Sequence, residues 1–243
     1  MIARALREIA SGALDLLYPP ARACAMCGCD LAGFSGRGAS GLPHPPAGLP
    51  SPASGGPICP GCLKELSEAG PVTPPSPDPL GGVLGVAPYG GGLKEAIHRL
   101  KYARRTALAG PLGRTMGAVA ASVGMAGDVL VPVPLHPLRE RERGFNQSEL
   151  LAAAAAEEMG IPLCGAGLRR SRNTRPQARL SGGARGENVR DAFTVVAPGE
   201  FAGVTVILVD DVFTTGSTAA ECGRVLISAG ARDVYVLVLA VGG

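Results

Sequence analysis

The residues with the clearest chemical potential lie between Val209 and Thr218, where the sequence reads VDDVFTTGST. Two carboxylates, Asp210 and Asp211, follow an apolar run, and a short turn around Gly216 leads into a predicted helix. The start of a helix leaves backbone N–H groups without partners and carries partial positive charge, so it suits a phosphate. Glycine lets the backbone approach such an anion closely and adopt positive φ.

Hydroxyl groups surround that glycine, on Thr214, Thr215, Ser217 and Thr218. They can add donors to a phosphate, while the acidic pair can accept hydrogen bonds from vicinal hydroxyls or hold a hydrated Mg²⁺. The segment therefore predicts a cup for a sugar phosphate, and it is not a Walker A loop because it lacks Gly-Lys-Ser/Thr. The alternative is an ordinary helix start in which Thr218 and Glu221 form a capping box. That alternative explains neither the acidic pair nor the extra hydroxyls.

A second segment that can face an anion follows the strand-like run DVLVPVP. It carries Arg139, Arg141 and Arg143 on a predicted turn, and forked guanidinium groups suit phosphate oxygens. Glu140 and Glu142 alternate with these arginines, so a self-neutralised, solvated surface is the alternative.

Residues 169–190 form a third such segment, with seven arginines and a single acidic residue. A polar, arginine-rich stretch between ordered elements predicts a mobile hood over an anionic ligand. A solvated basic loop and sequence-independent contact with nucleic acid are the alternatives. Five Phe, four Tyr and no Trp leave few platforms for base stacking.

Five of the seven cysteines fall within the first 62 residues. Four of them form two Cys-x2-Cys pairs: Cys24, Cys27, Cys59 and Cys62. Two such pairs can close a tetrahedral zinc site with no open position, which is typical of a structural centre. Cys29 could replace one ligand, and His44 lies between the pairs. Reduced free thiols or an iron-bearing site would also account for the two pairs.

Composition limits the class of protein. The 243 residues are 46% apolar and 18% charged, which is enough to bury a core, and the net charge of +3 does not by itself indicate nucleic acid. No apolar run approaches the roughly 18 residues that a membrane helix needs. Charged residues interrupt the first twenty positions, so a secretory signal is rejected and a cytoplasmic location is expected.

Apolar strand-like runs alternate with helical segments along the rest of the chain. The predicted strands are residues 82–89, 128–134, 204–210 and 233–241, and the predicted helices are 93–104, 107–124, 148–159 and 217–231. This alternation predicts an α/β fold with a parallel sheet covered by helices on both faces. Ligands of such sheets bind at the carboxyl ends of the strands, here in the loops after Val133 and Val209.

The segment VILVDDVFTTGST resembles the phosphoribosyl pyrophosphate (PRPP) motif of type I phosphoribosyltransferases. Together with the cysteine pairs, VPVPLHPLRERERGFNQ and TRPQARLSGGARGENVRDAF, it makes nearly the whole chain similar to the ComF family. The resemblance implies that Asp210 and Asp211 bind the ribose 2′- and 3′-hydroxyls and that residues 214–218 hold the 5′-phosphate. It also implies that the arginines of the second segment contact pyrophosphate, with Arg179 and Arg185 in the hood.

The chain is predicted to have three parts. The resemblance implies an N-terminal helix and zinc ribbon over residues 1–70 and a phosphoribosyltransferase-like domain at 81–243. Composition marks a Pro-rich linker at 71–80 and a Gly/Pro-rich insertion at 33–58, and this insertion is a departure from the family. The implied activity is Mg²⁺-dependent transfer of phosphoribosyl to an unidentified acceptor during competence and DNA uptake. The alternative is a non-catalytic, PRPP-sensing competence factor that binds single-stranded DNA and contacts the competence machinery. This chemistry requires no Ser-His-Asp or Cys-His set, and none is evident. A base could be a carboxylate or the substrate itself, so no catalytic residue is assigned.

Overall fold

The computed structural model describes residues 24, 26–31, 58–171 and 189–242. Within these ranges the helices are α1 (Pro60–Ala69), α2 (Gly91–Tyr102), α3 (Ala109–Ser122), α4 (Pro137–Arg143), α5 (Gln147–Met159) and α6 (Ser217–Ser228). The strands are β1 (Gly82–Pro88), β2 (Val129–Pro132), β3 (Leu168–Arg170), β4 (Phe193–Val195), β5 (Thr205–Phe213) and β6 (Asp233–Val241). Short 3-10 helices cover Thr106–Leu108 and Pro198–Phe201.

In the described part of the chain, four strands form a parallel sheet in the order β1-β6-β5-β2, as the alternating pattern predicts. Side chains of β5 alternate between two buried layers: Ile207 and Val209 enter one apolar cluster, and Val206 and Leu208 enter the other. This strand reads as a continuous apolar run because both of its faces are covered. The predicted parallel sheet is therefore confirmed.

Helices lie on both faces of the sheet. One apolar cluster contains buried residues of α2, α3 and α5, and the other contains those of α6 and the antiparallel β3–β4 ribbon. Helices α3 and α5 pack closely because α3 carries glycines at the contact: a Cβ at Gly113 would lie 2.5 Å from the carbonyl oxygen of Leu151. None of the helices in the described ranges is long and apolar enough to cross a bilayer.

The cysteine-bearing segments pack directly on the sheet domain. Met26 and Leu66 belong to the same buried cluster as Ile97 and Leu100 of α2. Residues 71–80, predicted as a linker, also lie against the domain, because Val72 forms an antiparallel bridge with a β1 residue and Leu80 is buried. The predicted N-terminal helix and nearly all of the insertion at 33–58 lie outside the described residues. The three-part division itself stays a prediction.

Two helices were not predicted. The second cysteine pair opens α1, where Cys59 is the N-cap, its Sγ accepts from the Cys62 backbone N–H, and Pro60 is the first helical residue. The arginine segment predicted as a turn is α4, capped by His136 Nδ1, which accepts from the backbone N–H of Leu138 at 3.2 Å. Both begin with proline, which suits the first turn of a helix.

Candidate functional site

The acidic pair lies near the carboxyl end of β5. Oδ1 of Asp210 accepts hydrogen bonds from Ser148 Oγ at 2.8 Å and from the backbone N–H of Asp211 at 2.9 Å. Burial raises the pKa of Asp210, and the positive charge of Lys101 and Arg170 opposes that rise. The carboxylate is thus held in a fixed orientation among cations.

The second carboxylate forms an ion pair that the sequence did not reveal. Nζ of Lys101 lies 2.5 Å from Oδ2 of Asp211, and the two side chains are only 21% and 5% exposed. Burial lowers the pKa of Lys101 to about 8, Asp210 opposes that fall, and the like charge of Arg143 adds to it. This ammonium sits near the end of α2, so α2 and β5 meet at the acidic pair.

The hydroxyl-rich turn has the predicted backbone conformation at its glycine. Gly216 has φ 74° and is the N-cap of α6. A Cβ there would lie 2.6 Å from Phe213 Cζ and 2.9 Å from Pro77 Cγ, so both conformation and space require glycine. Oγ1 of Thr215 and Oγ of Ser217 are 3.0 Å apart.

The capping-box alternative is wrong. Helix α6 begins at Ser217 with Gly216 as its N-cap, so Thr218 lies inside the first turn. The Glu221 carboxylate accepts from the backbone N–H of Asp191 at 2.8 Å and pairs with Arg224. Hydrogen bonds from Arg224 and Asp191 lower the pKa of Glu221 despite its partial burial. Thr218 and Glu221 therefore do not form a capping box at the start of α6.

The acidic pair and the turn line one cavity of about 400 Å³ at the carboxyl edge of the sheet. The predicted residues that line it are Asp210, Asp211, Thr214, Gly216, Ser217, Thr218, Arg139 and Arg143. Thr215 instead lines a neighbouring surface groove, and Arg141 is exposed on α4 without lining the cavity. Arg179 and Arg185 lie outside the described residues.

Basic side chains dominate the charge of this cavity. Its described lining residues include four cations, from Lys101 and three arginines, against two carboxylates. Arg143 donates to Gln147 Oε1 and lies over the ring of Tyr102, 5.7 Å from its centroid. Arg170 is 7% exposed and lies 5.1 Å from the centroid of another ring, that of Phe193. Burial is the main cause that lowers the pKa of both guanidinium groups. A cavity with this surplus of positive charge favours an anionic ligand.

The four paired cysteines converge outside this cavity. Their sulfur atoms all lie within 4.8 Å of one another: Cys24, Cys27, Cys59 and Cys62. Sγ of Cys27 is 3.7 Å from Sγ of Cys59, close to the ~3.8 Å edge of a tetrahedron with ~2.3 Å zinc–sulfur bonds. The backbone N–H of Cys59 also donates to Cys24 Sγ at 3.2 Å. The donor set fits a four-thiolate metal centre such as zinc.

The fifth cysteine of this region lies beside the cluster and is not one of the four converging ligands. Cys29 is exposed, and its backbone N–H is the main cause that lowers the pKa of the Cys27 thiol to about 6. The hydrogen bond with Cys27 raises the pKa of the Cys29 thiol to about 12. His44, which lies between the two pairs in sequence, falls outside the described residues.

Comparison with known proteins finds relatives, three of which match between 42% and 74% of the chain. DNA utilization protein YhgH of Salmonella typhimurium is 35% identical over 189 residues, which are 74% of this chain and 82% of the relative. Competence protein F of Haemophilus influenzae is 37% identical over 114 residues, 46% of this chain and 50% of the relative. The chain belongs to the ComF family. Competence protein ComFC of Bacillus subtilis is 32% identical over 102 residues, 42% of this ComF chain and 39% of the relative.

The other two comparisons add little to the ComF assignment. No protein-family model matches the chain. Among solved structures, glutamine PRPP amidotransferase from B. subtilis covers 53% of this chain with 27% identity and a TM-score of 0.37. An allosteric regulatory enzyme of purine biosynthesis covers 54% with 25% identity and the same TM-score. The ComF chain spans about a quarter of the length of each.

Sequence reasoning missed several residues of the ComF cavity. Lys101 had no local signal, because only the tertiary packing of α2 brings it to Asp211. Arg170 belonged to the arginine-rich stretch but had no feature that separated it from its neighbours. Ser148 could have been found, because an asparagine directly before a predicted helix favours an N-cap. Asn146 is that N-cap, and its Oδ1 accepts from the Ser148 backbone N–H at 3.1 Å.

Proposed function

We propose that the protein binds PRPP, or a closely related ribose 5-phosphate with a second phosphate group, and transfers its phosphoribosyl group to an acceptor. The observation that carries this proposal is the single cavity that joins Asp210 and Asp211 to the glycine turn at the start of α6. Vicinal hydroxyls match the acidic pair, and a phosphate matches the helix start.

The parts of the cavity divide between the parts of the ligand. Asp210 and Asp211 accept hydrogen bonds from the 2′- and 3′-hydroxyls of the ribose. The turn at residues 214–218 and the first N–H groups of α6 hold the 5′-phosphate. Arg139 and Arg143 contact the diphosphate, and Arg179 and Arg185 are proposed to cover it from the segment outside the described residues.

The proposed reaction is a substitution at the anomeric carbon. The bond from that carbon to the diphosphate oxygen breaks with its electron pair, a bond to an acceptor nitrogen forms, and the nitrogen loses a proton. Positive charge grows on the sugar while negative charge grows on the leaving group, so carboxylates next to the ribose and cations next to the diphosphate both lower the barrier.

Magnesium fits this cavity as an ion carried by the ligand. Asp210 Oδ1 and Asp211 Oδ2 are already engaged by Ser148 and Lys101, so the acidic pair is not a ready-made cage. Mg²⁺ is usually held by few carboxylates together with substrate phosphates. When bound to the diphosphate, it would supply charge neutralisation to the leaving group.

Calorimetric titration with PRPP in excess Mg²⁺ tests the proposal. The wild-type protein is expected to bind, and the Asp210→Asn/Asp211→Asn variant is expected to lose binding without unfolding. A matched control is Glu157→Gln/Glu158→Gln, which neutralises an adjacent and exposed acidic pair on α5. Equal affinity of the wild-type protein and the Asp210/Asp211 variant would contradict the assigned site.

A second candidate is a non-catalytic factor in DNA utilisation that uses the same cavity to sense PRPP. The relatives named for DNA utilization and competence favour this role. Release of pyrophosphate across a panel of nucleobases, amines and amides would support the enzyme. Tight PRPP binding with no turnover, together with single-stranded DNA binding that weakens steeply with salt, would support the sensor.

We also propose that the four converging cysteines hold structural zinc within a ribbon that belongs to the first 70 residues. Four thiolates leave no open coordination position for chemistry. The proposed context is the cytoplasm, with a component of the competence machinery as a partner. Metal analysis of the purified protein, expected to give one zinc per chain, tests the centre.

A further inference from the structure

Lys101 lies at the end of α2, against the acidic pair of the cavity. Its Nζ is 2.5 Å from Oδ2 of Asp211, and both side chains are largely buried. An ammonium so close to a carboxylate lies within contact reach of a ligand hydroxyl that the same carboxylate binds. Lys101 therefore belongs to the ligand-binding surface as well as to the framework.

Lys101 is not the only cation beside the acidic pair among the described residues. The positive charges of Arg143 and Arg170 already favour the ionised form of Asp210 by lowering its pKa, and Arg139 lines the same cavity. Burying an ammonium among guanidinium groups costs free energy. Burial and Arg143 accordingly lower the pKa of Lys101, to about 8. Additional negative charge from a ligand would offset this cost.

The geometry of ribose indicates where that negative charge is attached. The proposed orientation places the 5′-phosphate at the start of α6 and the two ring hydroxyls at the acidic pair. The anomeric carbon adjoins the 2′-hydroxyl, so a diphosphate on that carbon lies beside the carboxylates. The diphosphate is thus closer than the 5′-phosphate to the ammonium that contacts Asp211.

We propose that Lys101 selects ribose 5-phosphates with a second anionic group at the anomeric carbon over ribose 5-phosphate itself. Its ammonium pairs with Asp211 before the ligand binds and contacts the anomeric diphosphate afterwards. This inference rests on the proposed function and names the residue that sets the preference between two ligands of the same cavity.

Calorimetric titration in excess Mg²⁺ with PRPP and with ribose 5-phosphate tests the inference. Lys101→Met is expected to weaken PRPP binding about 10- to 100-fold, the effect of losing one charge-assisted contact. It should weaken ribose 5-phosphate binding less than about threefold. Lys101→Arg should retain most of the preference because it keeps the charge. The matched control is Lys94→Met, which removes an exposed lysine from the same helix and should change neither affinity.

The outcomes separate this inference from the proposed function. A wild-type protein that binds neither ligand overturns both. If the wild-type protein binds PRPP, then an equal loss of affinity for both ligands in Lys101→Met shows a merely structural role, and unchanged affinities for both ligands show that Lys101 makes no contact. Either of these results overturns the role of Lys101 and leaves the proposed function standing.

A measurement on the wild-type protein covers the case in which Lys101→Met does not fold. The ratio of PRPP affinity to ribose 5-phosphate affinity is followed from neutral pH to mildly alkaline pH. The groups that face Lys101 are Asp210, Asp211, Arg143 and Tyr102. The ratio is expected to fall as the ammonium deprotonates, and a constant ratio would overturn the inference.

Discussion

Glu65 of α1 accepts a hydrogen bond on Oε1 from the backbone N–H of Gly92 over 3.1 Å, which joins the cysteine-bearing helix to the first turn of α2. A Cβ on that glycine would lie 3.5 Å from Cε of Met26, so the first cysteine pair lies against the same turn. The opposite end of α2 carries Lys101 to Asp211. One helix thus connects the cysteine centre with the cavity.

Removal of this connection should weaken the whole fold modestly. Glu65→Ala deletes the acceptor for the Gly92 N–H and is expected to lower the free energy of unfolding by about 0.5–1.5 kcal/mol, the usual net value of one hydrogen bond. Urea unfolding monitored by circular dichroism measures it. Glu68→Ala is the matched control. Within the described part of the chain Glu68 forms an exposed 3.7 Å ion pair with Lys64, so its loss should change stability less. Equal effects of the two variants would argue against the role of Glu65.

Loss of one cysteine ligand should abolish the proposed zinc binding. Cys59→Ser removes one of the four ligands but leaves a hydroxyl that can still cap α1. It is expected to abolish zinc binding and to increase hydrogen exchange around α1 and residues 26–31, while most of the parallel sheet stays protected. Zinc content by mass spectrometry and amide exchange measure the two effects. Cys164→Ser, outside the cluster, is the control. One equivalent of zinc retained in Cys59→Ser would contradict the four-thiolate assignment.

Glycine at the hydroxyl-rich turn before α6 should be irreplaceable. Gly216→Ala places a Cβ at φ 74° and against Phe213 and Pro77, so it is expected to cost about 1–3 kcal/mol of folding free energy and to lose PRPP binding. Thermal unfolding and calorimetry test both results. Gly199→Ala is the matched control, since nothing lies within 4 Å of its added Cβ. A Gly216→Ala protein of wild-type stability and affinity would contradict the geometry of the turn.

The ion pair of Lys101 should leave a signature in the pH dependence of stability. The pKa of Lys101 is about 8 in the folded chain, against 10.5 for an ordinary lysine. Between these two pH values the unfolded chain therefore keeps the ammonium proton that the folded chain has lost. Stability rises with pH wherever the unfolded state binds more protons. We expect the wild-type protein to gain up to about 3 kcal/mol relative to Lys101→Met between these two pH values. Urea unfolding at several pH values measures the difference, and a difference that does not change with pH would contradict the burial of this ammonium.

Local patterns and tertiary packing explain which parts could be predicted. The acidic pair, Gly216 and the two cysteine pairs are encoded in short windows, because each chemistry needs its residues close together in sequence. The continuous apolar runs of β5 and β6 are also local patterns, and they predicted a sheet covered on both faces. Helix α4 was missed because alternating charges concealed the start at Pro137.

Other features depend on contacts between distant segments. Lys101 reaches Asp211 only because α2 packs between the cysteine-bearing segments and the sheet, and no local pattern records that arrangement. Arg170 lies on β3, which pairs with β4 across a stretch of sequence that has no strand-like periodicity of its own. The sequence therefore predicted the acidic pair and the glycine turn of the cavity, but not two of its cations, Lys101 and Arg170.

The most direct test of the central claim is a crystal structure of the protein with Mg²⁺ and PRPP. We expect the 5′-phosphate at the first turn of α6 beside Gly216, with the ribose hydroxyls within hydrogen-bond distance of Asp210 and Asp211. A ligand bound elsewhere, or a ribose whose hydroxyls do not meet the acidic pair, would contradict it.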